Sequence, residues 1–450
     1  MKVLLINPPI YDFNAYDVWI KPLGLLYISN ILKSYNIEVV LLDCLDRNYF
    51  EEIKVKPDGT GKFSYSVVEK PEILSNIPLK YKRYGIDQQK IIDFLKSNKD
   101  ADYAIVTSTM TYWYLGVKEI VELLRTYLAN TKILLGGIYP KLMLKHSYLK
   151  FGNLVDCLFT TNSVYELLKF LNLSSIENYL NFRNYPLPDY SSYKKIWYVV
   201  TRFSYGCLNN CDYCAARSIS TQYQQKSIET FTEEIKNLFY LTGAKNFVFY
   251  DDALFNAKNI DEVKQLFRKL LELRVPIKFY TPNGINPKFI DKELALLMKE
   301  LNFTDPRLSL ETSNNKTHNI VDRKINTKEF EYGLNNLIDA GYKPQEISVY
   351  ILAGLPNETL EDVYNSINYV AKYGMRVRLC EMSPVPKSKL FYQLGLDEDV
   401  DPLLHNNSIF LFNGIKNKVP AWCSYEDFLR LKNYVKEINS KNLNKLCVET

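Results

Sequence analysis

The sequence contains no run of about 18 consecutive apolar residues, the length that a membrane-spanning helix requires. The segment from Met1 to Pro9 is a short apolar stretch ending in two prolines, which predicts a strand and a turn rather than a secretory signal. We therefore expect no membrane span. The cysteines lack obvious disulfide partners, which indicates a reducing cytoplasm as the location.

Charge and histidine are also sparse. The net charge is only +5 over 450 residues, and no block of five like charges occurs, so nothing indicates a nucleic-acid partner. The three histidines, His146, His318 and His405, lie far apart and have no metal-ligand spacing. A chain of this length with 47% hydrophobic residues is expected to be globular and to form two domains.

The eight cysteines are distributed unevenly. Cys207, Cys211 and Cys214 form a C-x3-C-x2-C motif, and the other five are scattered singly. Such close spacing is typical of metal binding. A structural zinc takes four ligands, and no fourth Cys or His lies nearby. Three thiolates on a four-iron cluster would leave one iron open for a substrate or cofactor. A zinc loop or a redox-active thiol loop is the alternative.

The motif Cys207-x-x-x-Cys211-x-Tyr213-Cys214 resembles the signature of the radical S-adenosylmethionine (SAM) superfamily. The resemblance implies that the open iron of a 4Fe-4S cluster binds the amino and carboxylate groups of SAM. It further implies that an electron from the cluster cleaves SAM into methionine and a 5'-deoxyadenosyl radical. An electron donor such as ferredoxin or flavodoxin and a small-molecule or peptide substrate are then the expected partners.

Residues 1–170 alternate between predicted strands and helices. The predicted strands are Lys2–Asn7, Ile37–Leu42, Tyr103–Ser108, Lys132–Leu135 and Leu154–Phe159, and the helices are Pro22–Tyr35, Leu115–Leu128 and Val164–Leu171. This βαβ repetition predicts an α/β fold with a doubly wound parallel sheet. Ligands of such sheets bind beyond the carboxyl ends of the strands.

Those strand ends carry four candidate ligand-binding residues, Asn7, Ser108, Gly136 and Gly137. A nicotinamide site has no support, because G-x-G-x-x-G is absent. The layout resembles the cobalamin-binding domain that precedes the radical domain in one large subgroup of the superfamily, which implies a possible cobalamin. The Asp-x-His-x-x-Gly motif of many cobalamin proteins is absent, although that subgroup does not require it. A Rossmann-like domain without the cofactor is the alternative.

Two stretches lack clear periodicity. Arg47–Gln89 contains the turn residues Pro57-Asp58-Gly59 and is expected to be either a functional flap or an exposed loop. Residues 171–192 contain Pro186 and Pro188 and are predicted to be the linker between the domains.

A second alternating pattern covers residues 193–395. It predicts a partial (β/α)6 barrel, with a helical C-terminal extension over residues 396–450. The six predicted strands are Ile196–Arg202, Asn246–Tyr250, Ile277–Thr281, Leu308–Thr312, Ile347–Leu352 and Arg376–Met382. The cysteine motif follows the first strand, at the carboxyl end where barrels of this type carry their chemistry.

The resemblance also implies a role for acids and an arginine near these strand ends. Asp251 and Asp252 resemble the family position near the methionine amino group, where an ammonium needs an acceptor. Glu311 resembles the acid that contacts the ribose, since a carboxylate accepts from sugar hydroxyls. Arg323 resembles the arginine that binds the carboxylate of SAM. A capping role for Asp252 and a surface ion pair for Arg323 are the alternatives.

Two further residues are expected near the adenine of SAM. Gly354 lies in a turn after the fifth strand that resembles the family's adenine-facing turn, and Tyr213 would stack close by. A plain strand-to-helix turn and a simple cover for the cluster are the respective alternatives. Cys380 lies on the sixth strand, and a buried thiol without chemistry is the expected state.

Three functions remain open from the sequence. The first is a cobalamin-associated radical SAM enzyme that modifies a carbon, for example by methylation. The second is the same radical chemistry without cobalamin, giving a rearrangement, cyclisation or oxidation. The third is a non-catalytic regulatory protein that binds zinc or another ligand.

Overall fold

The computed structural model describes residues 1–50, 54–161, 163–174, 177–314 and 325–448, with side chains described to residue 442. The chain divides into two compact units. The first consists of Met1–Tyr198 and Leu396–Asn406, and the second of Val199–Gly395 and Asn407–Thr450. No helix in the described residues has the length and apolar character needed to cross a membrane.

The first unit is built on a five-stranded parallel sheet. The strands of this unit are β1 Lys2–Asn7, β2 Ile10–Asp12, β3 Tyr16–Asp17, β4 Glu38–Asp43, β5 Gly61–Lys62, β6 Tyr65–Val67, β7 Lys82–Tyr84, β8 Tyr103–Val106, β9 Lys132–Leu135 and β10 Cys157–Leu158. The sheet order is β10-β9-β8-β1-β4, so the topological switch lies between β1 and β8.

The helices of the first unit are α1 Leu23–Ser34, α2 Gln88–Lys96, α3 Tyr114–Tyr127, α4 Ile138–Leu142, α5 Leu144–Phe151 and α6 Val164–Phe170. The core strand β1 has five consecutive buried residues. Parallel strands covered on both faces need such continuous apolar runs, which is why the sequence predicted this strand well. The predicted parallel α/β sheet is confirmed.

The Arg47–Gln89 insert contains the short strands β5, β6 and β7, which its sequence did not predict. β2, β7 and β6 form one antiparallel sheet, and β3 pairs with β5. These strands have only two or three residues each, too few to show an alternating pattern. Helix α2 was also missed, because only Ile91 and Leu95 are buried along it.

The segment Leu396–Asn406, here called the strap, belongs to the first unit although it follows most of the second unit in the chain. Tyr114 donates to Asp401 at 3.1 Å, and Asn406 donates to the buried carboxylate of Asp12 at 2.9 Å. His405, 1% exposed, lies 3.1 Å from the Thr111 hydroxyl. The strap is therefore held by buried hydrogen bonds that the sequence pattern did not indicate.

The second unit contains six parallel strands in two three-stranded sheets, β11-β14-β15 and β16-β17-β18. The strands are β11 Val199–Thr201, β12 Ser204–Tyr205, β13 Gln224–Gln225, β14 Asn246–Phe249, β15 Lys278–Tyr280, β16 Arg307–Glu311, β17 Ser348–Ala353 and β18 Arg376–Glu381. Isolated parallel bridges, such as Ile285 with Leu308, continue the pairing between the two sheets.

The helices of the second unit are α7 Ala216–Ile219, α8 Ile228–Thr242, α9 Ile260–Glu272, α10 Lys292–Glu300, α11 Thr327–Asp339, α12 Leu360–Ala371, α13 Lys389–Gln393, α14 Phe410–Asn413 and α15 Tyr425–Val448. Helix α10 was not predicted, although Asp291 caps it by accepting from Leu294 N at 2.9 Å. Phe231 of α8 and Phe267 of α9 pack against Phe249 of β14, which covers the outer face of the first sheet.

Candidate cluster-binding site

The loop that carries the three cysteines is closed at its base by a short antiparallel ladder. β12 pairs with β13, so that Ser204 faces Gln225 and Tyr205 faces Gln224. Gly206 follows β12 with a φ of +88°, and a Cβ there would lie 2.7 Å from the carbonyl oxygen of Gln222. Only glycine fits this turn without strain.

Asp251 anchors the entrance to this loop. Its carboxylate accepts from Ser204 N at 2.5 Å, from Ser204 Oγ at 2.6 Å and from Phe203 N at 3.2 Å. The side chain is buried, and this burial raises the pKa of Asp251 to about 6, against the opposing effects of Ser204 and Arg202. Both carboxylate oxygens are therefore engaged with the loop.

Asp252 holds the next part of the same turn. Its carboxylate accepts from Gly206 N at 3.0 Å and lies 3.8 Å from Arg202 Nη1, with the side chain 26% exposed. The two neighbouring acids thus bind successive backbone groups of one loop. Both oxygens of Asp251 are engaged with the loop. A contact of this pair with an ammonium group would therefore be made by the partly exposed carboxylate of Asp252.

The three cysteines lie at partly accessible positions. Cys207 and Cys211 are half-buried, Cys214 is exposed, and none of the three forms a disulfide. Cys214 N donates to Cys211 O at 3.1 Å, and Ala216 N donates to the Cys214 sulfur at 3.4 Å. A backbone N–H directed at a sulfur favours its ionised form, which is the form that binds metal.

The donor set of this loop consists of three thiols, and thiolates are the ligands that hold iron–sulfur clusters. A structural zinc site takes four ligands. Among the described residues, no group of three Cys, His, Asp or Glu side chains has the arrangement of a metal-ion site.

Tyr213 of the cysteine loop and Glu311 at the end of β16 are brought together. The Tyr213 hydroxyl donates to the Glu311 carboxylate. Burial raises the pKa of Tyr213, and the charges of Glu311, Cys211 and Cys214 raise it further. The predicted ribose-contacting acid therefore lies directly beside the cysteine loop.

Glu311 has an unusual backbone. Its φ is +71°, and the pairing of β16 with β17 shifts by one residue between Ser309 and Glu311. A non-glycine residue in this region costs about 1–2 kcal/mol, and bulges often redirect a side chain next to a functional site. The strand thus accepts strain at the residue that faces the cysteine loop.

Gly354 lies in a tight turn after β17, with a φ of +93°. A Cβ at this position would come within 2.3 Å of the Leu411 side chain. The turn is held by Glu358, whose carboxylate accepts from Gly354 N and Leu355 N, each at 3.2 Å. Burial raises the pKa of Glu358 to about 8.

Glu358 is a site residue that sequence reasoning missed. The signal was an acid four residues after a turn glycine, a spacing that lets the side chain reach back to exposed N–H groups. A second missed feature is α13, which supports the cysteine loop from behind. Leu390 N donates to Asp212 O at 2.8 Å, and Lys389 pairs with the Asp212 carboxylate at 3.0 Å.

Of two other residues considered in the sequence, the structure describes Cys380 but not Arg323. Arg323 lies outside the described residues, so its predicted contact with SAM stays a prediction. Cys380 is half-buried on β18, where burial and the charges of Glu381 and Glu311 raise the pKa of its thiol to about 12. Cys380 is therefore a neutral thiol near neutral pH, close to Glu311.

The polar side chains at the strand ends of the first unit are hydrogen-bonded to one another. Asn7, 3% exposed, donates its amide to Asp43 at 2.7 Å, and Tyr193 donates to the same carboxylate at 2.8 Å. Lys21 Nζ lies 3.7 Å from Asp43 and 3.9 Å from the centre of the Tyr193 ring. The polar groups at this end of the sheet already have protein partners.

Ser108, Gly136 and Gly137 form one contact cluster. Ser108 Oγ donates to Gly136 O at 3.0 Å and accepts from Tyr139 N at 3.1 Å. Gly137 has a φ of +92°, and a Cβ there would lie 2.4 Å from Ser108 O. Gly136 differs, because a Cβ there would meet only Phe159, at 3.7 Å. A cobalamin at this edge would therefore meet backbone at Gly136 rather than the Asn7 or Ser108 side chains.

Comparison with known proteins agrees with the position of this site. Residues 201–370 match the model of the Radical SAM superfamily. The chain is 22% identical over 237 residues to cytidylyl-2-hydroxyethylphosphonate methyltransferase from Streptomyces wedmorensis, a match that spans 51% of this chain and 42% of that protein.

A second relative is tRNA-2-methylthio-N(6)-dimethylallyladenosine synthase from Lachnoclostridium phytofermentans, 25% identical over 179 residues, or 38% of each chain. The chain thus matches less than half the length of these two relatives. Among solved structures, the radical SAM methyltransferase TsrM from Kitasatospora setae matches with a TM-score of 0.66 and 14% identity, over 93% of this chain and 84% of TsrM. That structure contains a tryptophan substrate and a SAM analogue, and the likeness establishes a shared fold.

Proposed function

We propose that the chain is a radical SAM enzyme that cleaves SAM reductively at a 4Fe-4S cluster, and the match of residues 201–370 to the Radical SAM superfamily supports this proposal. The observation that carries the proposal is the cysteine loop, which is closed by β12 and β13, anchored by Asp251 and placed beside Glu311. Cys207, Cys211 and Cys214 would hold the cluster. When bound, the cluster would supply the electron that cleaves SAM and generates a 5'-deoxyadenosyl radical.

The residues of the barrel would bind and orient SAM rather than perform the bond cleavage. Glu311 would accept from the ribose hydroxyls, and the turn at Gly354 would bring backbone close to the adenine. Asp252 would accept from the methionine ammonium, and Arg323 would bind its carboxylate. The enzyme would need a one-electron reductant such as ferredoxin or flavodoxin.

The decisive experiment compares Cys211→Ala with Cys157→Ala after anaerobic reconstitution with iron and sulfide. Cys211→Ala should lose the cluster and form no 5'-deoxyadenosine, because one of the three thiolates is missing. Cys157→Ala should retain both, since Cys157 lies outside the motif, on β10 of the first unit. Unchanged iron content and SAM cleavage in Cys211→Ala would refute the proposal, and stoichiometric zinc without iron in the wild type would favour a regulatory zinc protein.

We further propose that the reaction is a methylation of an unactivated carbon and that residues 1–170 bind cobalamin. The support is the parallel sheet with its switch between β1 and β8, the fold shared with a methyltransferase and the name of one curated relative. When bound, cobalamin would supply a methyl group carried on its cobalt. Incubation with hydroxocobalamin followed by gel filtration tests this point, because a retained corrin absorbs visible light.

One observation favours radical chemistry without cobalamin as the second candidate. Asn7 and Ser108, the two polar side chains expected to face the corrin, are already hydrogen-bonded to Asp43, Gly136 and Tyr139. In that case the wild type would cleave SAM and modify its substrate with no retained corrin. Gly136→Phe, which would fill the open space at that edge, separates the two candidates because it should abolish corrin retention only if cobalamin binds there.

A further inference from the structure

Strands β16, β17 and β18 have one apolar and one polar face. The apolar face consists of buried residues such as Leu308, Val349 and Val377. The opposite face, here called the inner polar face, consists of Arg307, Ser309, Ser348, Tyr350, Arg376, Arg378 and Cys380, which share a side through the strand register. Glu311 follows the register shift after Ser309. The Tyr350 hydroxyl donates to Pro282 O at 2.6 Å, just beyond β15, so this face is turned toward the other sheet.

One carboxylate on this face serves three arginines. Asp305 Oδ1 accepts from Arg376 Nη2 at 2.7 Å and from Ser348 Oγ at 2.5 Å, and Oδ2 accepts from Arg378 Nη2 at 2.5 Å and from Arg307 Nε at 3.1 Å. A single negative charge is therefore shared among three positive charges. A partly buried cluster with such an excess of one sign is costly unless another charge compensates it.

The two arginines of β18 also retain unused donors. The Nε atoms of Arg376 and Arg378 are buried and have no hydrogen-bond acceptor within the described part of the chain. Their side chains are 26% and 33% exposed, so atoms of these side chains other than the buried Nε are open to a ligand. Burial lowers the pKa of Arg376, and the like charges of Arg378 and Arg307 lower it further against the effect of Asp305.

The acids described near these arginines have other partners, and Glu311 accepts from the Tyr213 hydroxyl. Glu346 pairs with Lys299 at 3.3 Å and Glu381 with Lys432 at 2.7 Å. The planar fork of a guanidinium is suited to a carboxylate or phosphate, which accepts two parallel N–H groups. The negative charge that would balance the arginines is therefore expected to come from an oxyanion.

The arginines and the cysteine loop are linked through Cys380 and Glu311. The charges of Glu311 and Arg378 both act on the Cys380 thiol, and Glu311 is bonded to Tyr213 of the cysteine loop. Arg378 lies two residues before Cys380 on the same strand, a separation of about 7 Å along β18. A small molecule on the inner polar face would therefore reach from the arginines toward the place where the radical would form.

We propose that the inner polar face binds the substrate and that this substrate carries an oxyanion, a carboxylate or a phosphate, held by Arg376 and Arg378. The identity of this surface as a substrate site rests on the proposed radical SAM function. The oxyanion would accept from the exposed part of the two guanidinium groups and would offset the charge that Asp305 leaves unbalanced. The remainder of the substrate would extend toward Cys380 and Glu311.

The test is direct binding to the full-length protein, with benzoate, phenyl phosphate and neutral benzamide as probes at up to about 20 mM, a range in which millimolar dissociation constants are measurable. Isothermal calorimetry should show saturable binding of one or both anions and none of benzamide. Preference for benzoate or for phenyl phosphate distinguishes a carboxylate from a phosphate substrate. Equal binding of benzamide, or no binding of either anion, would overturn the proposal.

Variants locate the site. Arg378→Gln should weaken anion binding at least tenfold, while Arg268→Gln, at an arginine half exposed on α9, should leave it unchanged. Should Arg378→Gln fail to fold, Arg378→Lys keeps the charge but loses the fork, and a several-fold weaker affinity is expected. Wild-type affinity in the folded Arg378 variant would refute the assignment.

The two proposals fail separately, because the binding measurement does not use turnover. It is made on the full chain with and without reconstitution, alongside iron content and 5'-deoxyadenosine formation. Anion binding without a cluster would contradict only the proposed function. A cluster that cleaves SAM in a protein that binds neither anion would contradict only the oxyanion site.

Discussion

The carboxyl ends of the parallel strands are occupied in different ways in the two units. In the first unit, the polar groups at the strand ends bind one another, as Asn7 does with Asp43 and Ser108 with Gly136. In the second unit, Asp251 holds a loop in place, and the loop carries three thiols that reach partly accessible positions. In the first unit, hydrogen bonds at the strand ends join the polar groups to one another. In the second unit, hydrogen bonds at the strand ends hold a loop in place and leave its thiols available for chemistry.

Asp251→Ala should give the largest effect on the second unit. It would leave Phe203 N, Ser204 N and Ser204 Oγ without their acceptor, and each buried unsatisfied group costs about 1–3 kcal/mol. We expect a loss of at least ~3 kcal/mol in unfolding free energy and almost no cluster after reconstitution. Urea denaturation and iron analysis measure both. A variant that retains wild-type iron would show that the loop does not depend on this carboxylate.

Gly206→Ala should act on the loop with somewhat less effect on stability. The positive φ costs about 1–2 kcal/mol, and the close contact with Gln222 O adds to it. Gly243→Ala is the matched control, since Gly243 also has a positive φ but no atom lies within 4 Å of its added Cβ. Thermal unfolding should shift in both, whereas iron content should fall only in Gly206→Ala. An equal fall of the iron content in both variants would mean that an alanine with a positive φ is sufficient to cause the loss, without the close contact to Gln222 O.

The two units should respond to pH in opposite directions. Burial lowers the pKa of His405 to about 3 from 6.5, so its contribution to the stability of the first unit is lost as pH falls below 6.5. Burial raises the pKa of Glu358 to about 8 from 4.5, so the second unit loses stability as pH rises from 4.5 toward 8.

Melting curves between pH 5 and pH 8 check this for His405→Asn and Glu358→Gln. His405→Asn should lose less stability than the wild type on acidification from pH 7 to pH 5, a difference of about 2 kcal/mol. Glu358→Gln should lose less on the change from pH 5 to pH 8, by a few kcal/mol at most. Parallel curves for wild type and variants would contradict the assigned protonation states.

Asp43→Asn should give the smallest change in unfolding free energy. It tests whether the strand ends of the first unit affect the cluster of the second. The amide keeps one acceptor for Asn7 or Tyr193 but loses the charge that faces Lys21, so the expected loss is about 1 kcal/mol. Cluster content and SAM cleavage should not change, because the residue belongs to the first unit. A parallel loss of iron would mean that the cluster depends on both sheets.

The fold was predictable to the extent that burial controls the sequence pattern. Continuous apolar runs identified β1 and β8, and one-sided periodicity identified α8 and α9 within one or two residues of their ends. The strap was not predictable, because its partners Asp12, Thr111 and Tyr114 are nearly 300 residues or more away in the sequence. Long-range side-chain pairs of this kind leave no local pattern.

The candidate site was predictable where spacing alone determines the chemistry. The three cysteines are recognisable because the motif is contained in one loop, and Glu311 because it ends a strand. The direction of a carboxylate is not contained in its position, so the bonds from Asp251 to Ser204 could not be inferred. The arginine cluster was equally hidden, because Arg376 and Arg378 alternate with apolar residues as they would on any half-exposed strand.

The strap has a consequence for how the chain folds during its synthesis. Residues up to Tyr198 leave the ribosome long before Leu396–Asn406 are made, and roughly 200 residues separate the two, a delay of roughly 10–40 s at typical elongation rates. Throughout that interval the hydrogen bonds of Asp12 with Asn406 and of Thr111 with His405 cannot form. The first part of the protein to be translated is therefore among the last to be completed.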